Sequence, residues 1–262
     1  MIHFTAGLFV ANALSSRLTA KTQRTGARRT VHEYARGVPV APPTAAWQPS
    51  RRGTVIAFWP DPEIFETTSC SFALLAERFR QLAFLNQGLA ISLTDNRPVT
   101  GPRAVSFRFP HGVRDFVAAL HAETGSPLPP DVIGFERYNP RIAGTMEVAF
   151  LWSDAHEERL RGYANSKATP QGGTHVDGFR NALATAVTAH AREQGLLAPT
   201  DPDPHTDRID EGLTAVVSVK LDHPEFVGAT RRQLSNPRRL TAEMRLSPAV
   251  ASVDDRRVTP YA

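Results

Sequence analysis

The sequence predicts a mixed α/β protein in two parts, and three observations carry that prediction. Short apolar stretches with strand character, "GTVIAFWP" (53–60), "LAISLTD" (89–95) and "GLTAVVSVKL" (212–221), are separated by runs with helical spacing. A segment with Pro and Gly, "NRPVTGPR" (96–103), reads as a linker and places a domain boundary near it. Beyond it, strands and helices mix as in a compact α/β sandwich.

Taken in order, residues 7–18 read as a short helix, because Leu8, Ala11, Leu14 and Leu18 recur at helical spacing. "RRTVHEYAR" (28–36) reads as a strand, followed by a loose, proline-rich loop. "GTVIAFWP" is a strong strand stopped by Pro60 and Pro62. From 72 to 86 the residues Phe72, Leu75, Phe79, Leu82 and Leu85 share one helical face, and Gly88 ends that helix. The phenylalanines of this stripe are core residues. A strand follows at 89–95. The second part runs strand (104–109), helix (112–122), strand (131–137) and strand (145–152). A helix from 176 to 194, with Gly195 as its stop, leads to a buried strand at 212–221. Beyond Gly228 the chain is Arg-rich and weakly patterned.

Composition excludes several classes. One cysteine, Cys70, forbids an internal disulfide, fits a reducing compartment and has no nearby His to activate it. No apolar run approaches the roughly 18–20 residues of a membrane span. The mildly apolar start has no preceding basic residues and reads as helix rather than signal peptide. A cytoplasmic location is expected. The net charge is +4, and apart from Lys21, Lys167 and Lys220 the basic residues are arginine. Arginine suits phosphate and carboxylate; a GC-rich genome writing Arg for Lys accounts for the same bias. A nucleic-acid partner is allowed by this charge, not required. The histidines show no metal-ligand spacing, and the acidic run "DPDPHTDRID" (201–210) is Pro-broken and loop-like, so no metal site is expected.

The stretch "YANSKATPQGGTHVDGFRNAL" (163–183) places two glycines and a Thr-His pair ahead of a long helix. Paired glycines before a helix can cradle a phosphate, or they can simply turn the chain. Thr174 is the expected N-cap, with Asp177 in the first turn.

Four strings occur in order: "GTVIAFWPDPEIF" (53–65), "LAFLNQGLAISLTDNR" (82–97), "QGGTHVDGF" (171–179) and "EGLTAVVSVKL" (211–221). Together they closely resemble the ATPase-subunit region of bacterial type IIA DNA topoisomerases, most of all gyrase B. "VANALSSRL" (10–18) resembles the helix after that family's ATP lid. The resemblance spans nearly all of 7–236. It implies a partial GHKL-type ATPase sandwich at 1–97, an S5-like transducer domain at 98–236, and an Arg-rich tail at 237–262 expected to be disordered. Helix 176–194 should then pack on a sheet containing 212–221. Strand 53–58 and helix 72–86 should show uncovered apolar surface, leaving the first part the less stable one.

The resemblance also implies ATP and Mg as the family's cofactors, DNA as a partner, and association as a homodimer or with gyrase subunits. Carried over residue by residue, the remaining ATP contacts are Gly7 of the lid, Thr54 beside the adenine, and Thr230 and Arg231 of the loop that reads the terminal phosphate. Arg231 stands where the family has lysine, Ala229 where it has glutamine, and Asp210 where it usually has arginine. Arg180 matches an arginine that faces the duplex; the other reading is a solvated helix residue. For Thr54 the other reading is a structural strand threonine. The double glycine matches the turn that launches the transducer's long helix, not a phosphate site. The family's catalytic Glu, Mg-binding Asn and adenine-binding Asp have no counterpart ahead of these strings, so no catalytic residue is assigned. The expectation is a divergent, truncated gyrase-B-like chain inactive alone. The alternative is a non-catalytic binding protein that joins or mimics gyrase.

Overall fold

The computed structural model describes residues 5–23, 29–40, 42, 44–46, 52–98, 101–125, 131–140, 143–154, 157–198, 200–202 and 209–236. The tail expected to be disordered (237–262) and most of the acidic run (203–208) lie outside the described residues. The chain forms two compact units, Met1–Ser71 and Phe72–Ala262.

The first unit holds α1 (Thr5–Ala13), β1 (Ser15–Gln23), β2 (Arg29–Ala35), β3 (Val38–Pro39), β4 (Thr44–Ala46) and β5 (Gly53–Pro60). They build one antiparallel sheet in the order β3-β2-β1-β5, with β4 also paired to β2. The helix expected at 7–18 therefore stops at Ala13. Its second half becomes the central strand β1, because pairing on both sides outweighs the helical spacing of Leu14 and Leu18. The Ser15 hydroxyl marks the change by donating to the carbonyl of Ala11, 2.6 Å away. The β2–β3 turn is made by Arg36 and Gly37, both at positive φ, a geometry suited to a tight hairpin. Arg36 reaches back to the buried carboxylate of Asp61 (2.7 Å) and to Glu63 (2.6 Å). That pair ties the hairpin to the segment leaving β5. As expected, β5 has uncovered apolar side chains: Val55, Ile56, Phe58 and Trp59 are all exposed.

The second unit holds α2 (Phe72–Phe84), β6 (Ile91–Asp95), β7 (Arg103–Phe107), α3 (Val113–Ala122), β8 (Ile133–Asn139), β9 (Gly144–Trp152), β10 (Arg159–Ala164), β11 (Lys167–Ala168), α4 (Thr174–Glu193) and β12 (Leu213–Leu221). Segment 96–103 connects β6 and β7 of a single hairpin, in register from Asp95↔Arg103 to Ile91↔Phe107. The division between compact units comes earlier, ahead of α2, because Phe84 and Leu85 at the end of that helix are buried against α3. Helix α2 is thus covered at its C-terminal end, unlike the expectation; Leu74 remains exposed.

The main sheet runs β11-β10-β12-β9-β8, with β10 and β12 parallel and the other pairs antiparallel. A parallel pair needs a crossover, and α4 supplies it. Phe179 and Leu183 of α4 pack on Met146, Val148, Phe150, Ala215, Val217 and Val219. The opposite face, with Ala149, Leu151, Tyr163 and Val216, is covered by Val113, Phe116, Val117 and Leu120 of α3 and by Phe84. Strand β12 is buried on both faces, which is why "LTAVVSVKL" reads as an unbroken apolar run rather than an alternation. Strands β10 and β11 lie in a polar run where the sequence predicts no strand. β10 carries two arginines, and only Tyr163 and Ala164 of it are buried.

Candidate functional site

The region around the double glycine is built by backbone pairing with a distant segment. Leu234 forms a parallel bridge with Gly173 and an antiparallel one with Phe226. The amide of Thr174 donates to the carbonyl of Leu234 (3.1 Å), that of Leu234 to Gly172 (3.2 Å), and that of Gln171 to Arg232 (3.1 Å). Residues 225–235 thereby form a loop whose base is fastened to the first turn of α4. The loop is closed on itself by Val227 N–H to Gln233 O (3.0 Å) and Ser235 N–H to Glu225 O (2.8 Å).

Glycine is required at 173. A Cβ there would stand 2.2 Å from the carbonyl oxygen of Leu234, and φ is +126°. The double glycine is therefore a docking seat for the loop as well as the launch of the helix. Gly173 is also the helix N-cap, with Thr174 the first helical residue, so the cap expected at Thr174 lies one residue earlier. The N-terminal amide of Thr174 is occupied by the carbonyl of Leu234.

Thr230 and Arg231 lie exposed at the loop tip. Arg231 sits at positive φ (55°), with its guanidinium over the ring of Phe226 at 5.9 Å. The amine of Lys167, in β11, donates to the carbonyl of Thr230 (3.1 Å). A second cation therefore touches the tip, and the linear sequence carries no sign of it.

Beneath the seat, His175 is fully buried. Its Nε2 pairs with the hydroxyl of Thr169 at 3.1 Å. Burial pushes the imidazole down to about 4, so it is neutral at pH 7. Gly162 of β10 makes room for this pair: a Cβ there would meet His175 Nε2 and Thr169 Oγ1 at 2.8 Å. The Thr-His pair is visible in the sequence; its partner Thr169 is not.

Arg180, one turn into α4, is held between carboxylates. Its Nη2 donates to both oxygens of Glu158 (2.5 and 2.7 Å), and its Nε lies 3.4 Å from Asp210. Hydrogen bonding to Glu158 raises its already high pKa further. Asp210 thus faces Arg180 within this chain.

The other two sequence-predicted contacts belong to the first unit. Gly7 is an exposed residue in the first turns of α1. Thr54 is an exposed residue of β5 paired with Thr22. Neither lines the cavity of about 230 Å³ in that unit, which is bounded by Ala11, Leu14, Phe58, Phe65 and the segment Thr67–Cys70. The structure brings Thr230 and Arg231 together on one loop and leaves Gly7 and Thr54 in a separate unit. Among the described residues no cluster of three or more His, Cys, Asp or Glu could hold a metal ion. No helix among them is long and apolar enough to cross a membrane.

Comparison with known proteins covers most of the chain. The DNA gyrase B family matches residues 112–245. A novobiocin-resistant DNA gyrase B protein of Streptomyces niveus is 40% identical over 243 residues, 88% of this chain and 36% of that protein. The DNA gyrase B protein of Mycolicibacterium smegmatis is 36% identical over 259 residues, again 88% of this chain and 38% of the relative. The chain thus spans little more than a third of the length of these relatives. Among solved structures, the 43K ATPase domain of Thermus thermophilus gyrase B, in complex with an aminocoumarin, aligns with 92% of this chain and 64% of its own. Its TM-score is 0.78 at 31% identity. The DNA gyrase B protein of Myxococcus xanthus aligns with 91% of this chain and 68% of its own, with a TM-score of 0.74 at 26% identity.

Proposed function

This chain belongs to the DNA gyrase B family, and from that premise we propose that its 262 residues act as the coupling part of an ATP-using, DNA-handling topoisomerase and turn over no ATP by themselves. The observation that supports this best is the loop 225–235, fastened by backbone hydrogen bonds to the start of α4. A ligand that moves the tip at Thr230 and Arg231 acts, through this seat, on a helix of twenty residues packed across the main sheet. The family uses ATP and Mg. The contacts carried over to this chain from the resemblance are Gly7, Thr54, Thr230 and Arg231, and among the described residues no group of three or more His, Cys, Asp or Glu could hold a metal ion.

Turnover needs groups beyond the four contacts carried over from the resemblance. A general base contributes roughly 10²–10⁴-fold in rate, and charge on a transferring phosphoryl group must be neutralised by metal and donors. Arg231 keeps a positive charge at the loop tip but as a planar fork rather than a compact ammonium, so its contact with a phosphate differs from that of lysine. The partners that fit this reading are duplex DNA and other gyrase subunits, or a second copy of the chain. Contact of Arg180 with duplex belongs to the same proposal and requires its pairs with Glu158 and Asp210 to open.

The test is a steady-state phosphate-release assay with Mg-ATP, run beside calorimetric titration with a non-hydrolysable analogue. No turnover and at most weak binding is the expected result. Turnover that falls in Arg231→Ala, or micromolar analogue binding, would return the chain to the self-sufficient ATPases.

A further inference from the structure

The seat of loop 225–235 lies beside a buried side-chain pair, Thr169 and His175. The chain from Thr169 to His175 doubles back tightly: Thr169 N–H donates to Gly162 O (2.9 Å), and Gly172 N–H to Thr169 O (2.8 Å). Between those residues lie the donors and acceptor that hold the loop, namely Gln171 N–H, Gly172 O and Thr174 N–H. The two ends of the turn are joined through side chains by Thr169 Oγ1 and His175 Nε2, at 2% and 0% exposure. The ring is fixed from below by β10, where Gly162 leaves no gap for even a methyl group. Among the described residues, Nδ1 of His175 has no hydrogen-bond partner, so the Thr169 contact is the ring's one polar anchor.

We propose that His175 and Thr169 act as a positioning pin that holds the 169–175 turn in its loop-binding shape, so that docking of loop 225–235 and the start of α4 form one two-state element. With the pin closed, Gln171, Gly172 and Thr174 present their backbone groups in line with Arg232 and Leu234. With it open, the turn relaxes and the loop loses all three bonds together, although none of its own residues has changed. The two halves of the element are far apart in sequence; this turn supplies their backbone hydrogen bonds, beside the packing of Leu234 with Phe179 and Leu183. The inference rests on the coupling role proposed for the loop, but its test needs no nucleotide.

Hydrogen exchange at neutral pH on the full chain separates the element from the core. Thr169→Val keeps the shape and removes the hydroxyl; His175→Gln keeps a polar group able to reach Thr169; Gly173→Ala dislodges Leu234 directly and serves as the released reference. The expected result is that Thr169→Val speeds exchange of 225–235 about five- to tenfold, the loss of one buried hydrogen bond. Exchange of β12 should stay unchanged, and His175→Gln should lie between wild type and Thr169→Val. Two results would overturn the proposal: loop exchange unaltered in Thr169→Val while Gly173→Ala raises it, or β12 accelerated as much as the loop. If His175→Gln fails to fold, Thr169→Val and Gly173→Ala decide the matter alone. The role of Arg231 in reading phosphate is tested by the turnover and titration arms, so failure of one proposal is distinguishable from failure of the other.

Discussion

The two five-stranded sheets of this molecule differ in what covers them. The main sheet of the second unit has α4 on one face and α3 with the end of α2 on the other. Its central strand, β12, has eight of nine residues buried. The sheet of the first unit ends on β5, where Val55, Ile56, Phe58 and Trp59 remain exposed, and none of the residues of β5 is buried. Hydrophobic stabilisation follows area removed from water, at roughly 25 cal/mol per Å². The second unit therefore carries most of the folding free energy, and the first presents an apolar strip of the kind that favours association. The proposed function follows the same division. The loop proposed to respond to phosphate is rooted in the well-covered unit, where α4 packs on a close-packed core.

Substitution in the two sheets sharpens this contrast most. Phe150→Ala, at a fully buried position of β9 packed against Phe179 of α4, is expected to destabilise the second unit by about 3–5 kcal/mol in chemical denaturation. Val55→Thr on the exposed strip is expected to change stability by about 0.5 kcal/mol or less, while reducing self-association in sedimentation. Equal effects would break the comparison.

The next largest effect is on pH dependence. The folded-state pKa of His175 is depressed to about 4, against an ordinary value of 6.5. Between those values the unfolded chain binds a proton that the folded chain does not. The contribution of this residue is therefore fully present above about pH 6.5 and is lost as pH falls to about 4, amounting to roughly 3 kcal/mol. Denaturation midpoints measured from pH 7.5 to 4 should decline through this window in wild type and decline less in His175→Gln.

The smallest effect concerns Arg180. Its side chain is 37% exposed, so removing its pairs with Glu158 and Asp210 is expected to cost only about 0.5–1 kcal/mol, and less at high salt. Urea titrations of Arg180→Ala at low and high ionic strength check this.

Much of the fold is legible in the sequence because its signals are local. The apolar run of β12, the strand ending at Pro60 and the long helix after the double glycine each carry their own pattern. Strand β1 reads as the end of a helix because Leu14 and Leu18 happen to lie four apart, while its partners β2 and β5 are separate in sequence. Strand β10 escapes the pattern because arginines interrupt it and because its parallel partner β12 is contributed from beyond α4. The site shows the same limit. Thr230 and Arg231 stand out through family likeness, whereas the loop seat, the Lys167 contact and the Arg180–Asp210 match exist only once distant segments meet.

Native-state hydrogen exchange resolved along the whole chain tests the central contrast most directly. Amides of β9 and β12 (144–152 and 213–221) are predicted to exchange only through global unfolding, and those of β1 and β5 (15–23 and 53–60) at least tenfold faster, through opening of the first unit alone. Equal protection across both sets of strands would contradict the contrast.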